Sequence, residues 1–89
     1  GKKVALFGLG DQERYPDNFV DGIGILAEAF TKSNAELIGF MPVSDHHFTQ
    51  SRAVKEGHFL GLPLDIENQS EQTEERILKW VAKLKKEFQ

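Results

Sequence analysis

A short apolar run, Lys3 to Phe7, ends at Gly8-Leu9-Gly10-Asp11; a helical stripe follows, and a second apolar run occupies Glu36-Leu37-Ile38-Gly39-Phe40. Strand, helix and strand are complete by residue 40. Such a crossover returns the second strand parallel to the first, with a right-handed connection. Near-continuous apolar strands are those covered on both faces. The chain is thereby confined to the α/β class with a parallel sheet. The turn inside this unit spends several special residues: Gly8, Gly10, Asp11, Gln12 and Tyr15-Pro16-Asp17-Asn18. Its glycines let backbone approach a planar ligand, its peptide N–H groups can donate, and Tyr15 offers a flat face. Open parallel sheets bind ligands at this place, the carboxyl end of a strand.

The remaining pattern fills in the architecture. Asp17 or Asn18 can cap a helix with an apolar stripe at Phe19, Ile23, Leu26, Ala27 and Phe30, ending near Ser33-Asn34. Gly22 and Gly24 each cost ~1 kcal/mol against alanine in a helix interior, which points to close helix–sheet packing, with a hinge as the alternative. Residues 41–58 carry turn formers and histidines without a period, and Phe59 to Leu64 reads as a further strand with Pro63 marking an edge or an end. Asp65 to Gln72 reads as a polar loop. A last helix starts about Thr73 as N-cap, with Glu74 and Glu75 in its first turn and Lys83, Lys85 and Lys86 near its end. Its core stripe is Ile77, Trp80, Val81, Leu84 and Phe88. Two or three strands and two helices leave a sheet edge open, and an open edge invites another chain.

Composition excludes several function classes. Eighty-nine residues make one unit, residues 1–89. Fourteen acids against eleven bases give a net charge of −3, which argues against nucleic acid as the main partner. With no cysteine, disulfides, iron–sulfur ligation and thiol nucleophiles are out. Nothing approaches the ~20 apolar residues of a membrane span, and no signal peptide is visible, so a soluble compartment is expected. The chain opens Gly1-Lys2-Lys3 without an initiator methionine. His46, His47 and His58 read as surface residues without metal-site spacing, and no Ser/His/Asp arrangement suggests hydrolysis. No metal site is expected.

The run Gly8-x-Gly10-Asp11-Gln12-x-x-Tyr15-Pro16-Asp17-Asn18-Phe19, continued by Asp21-Gly22-Ile23-Gly24-Ile25-Leu26, resembles the flavodoxin family, in particular the long-chain flavodoxins of cyanobacteria and algae. Gly57-x-Phe59-x-Gly61-Leu62-x-Leu64-Asp65, Asn68-Gln69-Ser70 and Thr73-x-x-Arg76-Ile77 with Trp80-Val81 extend the likeness over the whole chain. It corresponds to the C-terminal half of that family. The resemblance implies a flavodoxin-like parallel sheet of which this chain supplies strands four and five, two helices and, at about 41–58, the long-chain insertion.

It also implies FMN as cofactor. Tyr15 would stack on the isoalloxazine ring, while Leu9, Gly10 and Asp11 would hold its pyrimidine edge. Asn18 would lie near the ring or ribityl region, and Glu67 close to the ribityl chain. A carboxylate beside the ring disfavours further negative charge there and lowers the potential for reduction. The implied function is an FMN-dependent one-electron carrier, not an enzyme, in the cytoplasm or, if algal, the plastid stroma. Its implied partners are redox proteins such as ferredoxin–NADP reductase and photosystem I. The family's phosphate-binding loop and second aromatic loop have no counterpart here, so these residues alone are expected to hold FMN weakly or not at all. The alternative is a non-redox fragment that pairs with a second copy of itself or complements an N-terminal half without binding FMN. His46, His47 and Met41 depart from the family's usual residues, all within the insertion.

Overall fold

The computed structural model describes residues 2–44 and 46–88. The first apolar run continues past Phe7, because Gly8 and Leu9 stay extended: it forms β1 (Lys3–Ala5) and β2 (Phe7–Leu9). After α1 (Asp21–Lys32) comes β3 (Glu36–Ile38), which pairs in parallel with β1 in the register Lys3↔Glu36. Three further short strands, β4 (Met41–Pro42), β5 (Val54–Lys55) and β6 (His58–Phe59), form a separate antiparallel sheet in the order β4-β6-β5. The chain then returns as β7 (Leu62–Leu64), parallel to β2 with Phe7 opposite Leu62.

Both partners lie on one side of the first strand. The Glu36 N–H donates to the Lys2 carbonyl, Leu62 N–H to the Leu6 carbonyl, and Gly10 N–H to the Leu64 carbonyl, each at 2.9 Å. These are even-numbered residues of that strand, whose peptide groups all point the same way; those of the odd-numbered residues point to the opposite edge. Along that edge no strand pairs among the described residues. One strand is thus paired along a single side, with β3 and β7 together doing the work of one interrupted neighbour.

The run Phe59 to Leu64, expected as one strand, is divided. Phe59 belongs to the small antiparallel sheet, opposite Met41 and Val54, and the chain bends at Leu60-Gly61 before joining the parallel sheet. A Cβ on Gly61 would sit 2.3 Å from the Leu6 carbonyl oxygen, so only glycine fits at that crossing. Pro63 lies between Leu62 and Leu64, which face β2, so its missing N–H falls on the outer edge, where proline is tolerated.

The helices cover opposite faces. Leu6, Phe19, Val20, Ile23, Ala27, Ala53 and Phe59 make the core on the α1 side. Leu62, Leu64 and Trp80 make the other, with Ala5, Met41 and Leu84 packed against them. Three expectations need correction. Helix α1 begins at Asp21 rather than after Asp17 or Asn18, because the Phe19 N–H is held by the Gln50 carbonyl (3.2 Å) and Val20 turns left-handed at φ 47°. Residues 65–72 are not a loop: Asp65 caps α2 (Ile66–Gln69), a 3-10 turn (Ser70–Gln72) follows, and it runs straight into α3 (Thr73–Glu87). Thr73 is therefore the first residue of α3, not its cap. Finally, the stripes are half bare. Within α3 only Trp80 is buried, its Nε1–H donating to the Gly39 carbonyl at 2.8 Å. Leu26, Phe30, Ile77, Val81 and Phe88 remain exposed.

Candidate functional site

Five of the six residues singled out for cofactor contact line one open hollow of about 340 Å³ at the carboxyl end of β2: Leu9, Gly10, Asp11, Tyr15 and Asn18. Phe19, Val20, Asp21 and Gly22 complete its wall. Strand β2 delivers Leu9 to the rim at 65% exposure, and the turn behind it presents the Tyr15 ring at 54% exposure. An exposed aliphatic and an exposed aromatic side chain beside a hollow make a surface suited to a flat apolar ring. The Arg14 guanidinium lies 5.8 Å from the Tyr15 ring centroid, a cation–π distance.

The turn is built by Asp11. Its Oδ1 accepts the N–H groups of Glu13 (3.2 Å) and Arg14 (2.9 Å), and its carbonyl accepts the Tyr15 N–H at 2.8 Å. The Arg14 N–H, then the Asn68 side-chain amide, hold the Asp11 carboxyl below the ordinary carboxylate range. Asp11 is therefore ionised at neutral pH. Gly10 has a reason of its own to be glycine: a Cβ there would lie 2.8 Å from Val20 and 2.9 Å from Phe19. Its smallness admits the two side chains that floor the hollow.

Glu67 does not line the hollow; it sits exposed on α2. What ties α2 to the turn are residues to which the sequence assigned no role at the site. Asp65 is 1% exposed and Gln12 is 4% exposed. The Asp65 carboxylate accepts the Gln12 N–H and the Asn68 N–H, each at 2.9 Å. Burial pushes the Asp65 carboxyl up, but donors from Asn68 and Gln12 outweigh it and hold it below the ordinary range. Gln12 Oε1 in turn accepts the His47 N–H at 2.6 Å, linking the turn to the segment 41–58. The signal was an acid directly after a buried strand with an amide three residues on, Asp65-x-x-Asn68, the pattern of a helix cap.

Two other readings are settled by packing. His46 is half-buried rather than a free surface residue: its ring lies 5.3 Å from Phe19 and 5.4 Å from Phe59, packed on an aromatic cluster with Phe48. His47 and His58 are exposed, and among the described residues no group of three His, Cys, Asp or Glu could hold a metal ion. Gly24 is a packing glycine, though against segment 51–53 rather than the sheet, and Gly22 meets nothing within 4 Å. No helix is long and apolar enough to cross a membrane among the described residues.

No family model matches the chain. It is 46% identical over 88 residues to a flavodoxin of Synechococcus elongatus, covering 99% of this chain and 52% of that protein. With a flavodoxin of Trichodesmium erythraeum the identity is 50% over 88 residues, again 99% of this chain and 52% of the relative. Among solved structures, Fusobacterium nucleatum flavodoxin bound to flavin mononucleotide superposes with a TM-score of 0.95 at 37% identity, covering 100% of this chain and 53% of that one. The chain spans about half the length of the curated relatives it matches.

Proposed function

Because this chain belongs to the flavodoxin family and corresponds to the C-terminal half of a long-chain member, we propose that it supplies the isoalloxazine wall of an FMN site in a one-electron carrier. The observation that carries this reading is the gathering of Leu9, Gly10, Asp11, Tyr15 and Asn18 around one hollow with the Tyr15 ring bare. The residues fit a flat ring. They do not fit a phosphate, since the charged side chains lining the hollow, Asp11 and Asp21, are both acidic. When bound, FMN supplies the redox chemistry, and the protein tunes it without being an enzyme.

Tyr15 then gives the stacking face, and Leu9 and Gly10 the pyrimidine edge beside Asp11. Asn18 serves the ring or ribityl side, and Glu67, outside the hollow on α2, would reach only the ribityl chain. Asp11, kept ionised by its N–H donors, places a fixed negative charge near the ring and opposes the arrival of another, which lowers the potential. The net charge of −3 suits redox partners with basic docking faces, such as ferredoxin–NADP reductase and photosystem I, in the cytoplasm or a plastid stroma. A phosphate cradle and a second aromatic must come from elsewhere, so affinity of this half alone is low.

A second reading rests on the side of β1 and β2 along which no strand pairs among the described residues. Flanked by exposed Phe7, Ile77 and Val81, it is an edge on which an N-terminal half or a second copy can add a strand. In that reading the chain complements or self-associates without carrying flavin. Titrating FMN and following its fluorescence, with and without an added N-terminal half of a long-chain flavodoxin, separates the readings. Quenching that needs the added half supports a divided flavin site. No quenching in either mixture, with a dimer seen by light scattering, overturns electron transfer in favour of self-association.

A further inference from the structure

The Asp11–Tyr15 turn and helix α2 meet behind the hollow, and one amide joins them. Asn68 Nδ2 lies 2.7 Å from Asp11 Oδ1, and 3.1 and 2.9 Å from Asp65 Oδ1 and Oδ2. An amide carries two hydrogens, so one goes to Asp11 and the other is shared by the oxygens of Asp65. Asp65 is buried and further fixed by the Gln12 and Asn68 N–H groups. Asp11 stands at the rim and organises the turn that ends in Tyr15. Without the amide, two carboxylates would face each other across this gap, and like charges at such range repel.

We propose that Asn68 is a positioning residue: its amide, anchored on buried Asp65, separates the two carboxylates and clasps the Asp11–Tyr15 turn to the end of β7. The functional meaning rests on the flavin reading above, but the clasp itself does not. A residue that merely filled space or capped α2 would tolerate an isosteric change at any pH. A residue that works by donating two hydrogens would not. Asn68→Asp replaces those donors with an acceptor and puts three carboxylates together. The trio then needs a proton to close.

The test is an amide NMR titration of the flavin-free chain from pH 7 downward. In Asn68→Asp the Glu13, Arg14 and Tyr15 amides shift away from their wild-type positions at neutral pH and return toward them as the trio gains its proton. The wild type shows no such return. The charged neighbours that could confuse the signal are Glu13 and Arg14 on the turn, Glu67 on α2, Arg76 through Gln69, and His47 through Gln12; all are present in both proteins, so their shifts cancel in the comparison. Should Asn68→Asp fail to fold, Asn68→Ala speeds hydrogen exchange of the Glu13 and Arg14 amides by about tenfold or more, as for loss of a hydrogen bond to a charged group. In an Asp11→Ala background it changes nothing further. Wild-type shifts in Asn68→Asp at every pH, or an undiminished effect of Asn68→Ala when Asp11 is already gone, overturns the proposal. Failure of FMN to bind leaves this measurement intact and counts against the flavin reading alone.

Discussion

Replacing Gly24 with alanine should destabilise the protein, although the same change two residues earlier should stabilise it. In a helix interior, alanine is favoured over glycine by ~1 kcal/mol; that applies at Gly24, whereas Gly22, the second residue of α1, gains only part of it. At Gly22 a Cβ meets nothing within 4 Å, so that gain is kept. At Gly24 it would stand 2.3 Å from the Arg52 carbonyl oxygen, 2.5 Å from its carbon and 2.9 Å from the Ala53 nitrogen. Relief requires segment 51–53 to retreat by about an ångström, to the 3.4 Å of ordinary contact. That segment is held in place. The Arg52 N–H binds Asp21 Oδ1 at 2.7 Å, the Ser51 hydroxyl donates to the Phe19 carbonyl, and the Ala53 carbonyl accepts the Leu60 N–H at 2.8 Å. Overpacking against well-held atoms costs ~1–3 kcal/mol, and contact with backbone belongs at the upper end. The net expectation is ~1–2 kcal/mol lost for Gly24→Ala and a gain smaller than ~1 kcal/mol for Gly22→Ala. In a domain of this size each kcal/mol moves the melting temperature by ~4–8 °C. Thermal melts followed by far-ultraviolet circular dichroism should therefore shift in opposite directions. Equal upward shifts would refute the close approach of α1 to segment 51–53.

Acid should weaken the fold through Asp11 and Asp65. Both carboxyls are held below 3.8 in the folded chain, so their stabilisation is present above the unfolded pKa and is lost as pH falls through the folded values. Urea midpoints should be flat above about pH 5 and drop below about pH 4; a constant midpoint down to strong acid would contradict this, and Asp65→Asn should shrink the drop. Tyr15→Ala should leave the urea midpoint nearly unchanged, since the ring is largely exposed. In the chain mixed with an N-terminal half it should weaken FMN binding by about 2- to 13-fold, the equivalent of ~0.5–1.5 kcal/mol of ring stacking. Fluorescence titration decides it, and unaltered affinity would remove Tyr15 from the site.

The parallel sheet, the two covering helices and the Gly8–Tyr15 turn were legible because each follows from short-range pattern: apolar runs, one crossover, and a cluster of turn residues. What escaped was set by distant contacts. Asp17 and Asn18 look like helix caps, yet Phe19 is drawn to Gln50 and the helix waits until Asp21. Val20 in a left-handed conformation has no sequence signature, since β-branched residues avoid it. Phe59 to Leu64 reads as one strand because periodicity cannot show that Gly61 must pass against Leu6. His46 reads as a surface residue because nothing local announces the aromatic rings around it. At the site, the residues of the turn, Gln12 included, stand out by type, whereas the part played by Asp65 and Asn68 arises through hydrogen bonds between segments more than fifty residues apart.

Strands β3 and β7 lie on the same side of the first strand, so the stretch between them leaves the sheet and rejoins it without changing the topology. A shortcut from Ile38 to Leu62 would be easy to draw. It would not be easy to live with. The excursion brings back Ala53 and Phe59, both 0% exposed, and it supplies the carbonyl of Gln50 that holds the Phe19 N–H. Phe19 is one of the residues beneath the hollow. Any shortened version of this fold must therefore refill the floor under the ligand wall, and loop grafts here should be judged by the volume they restore to the core, not by how neatly their ends meet.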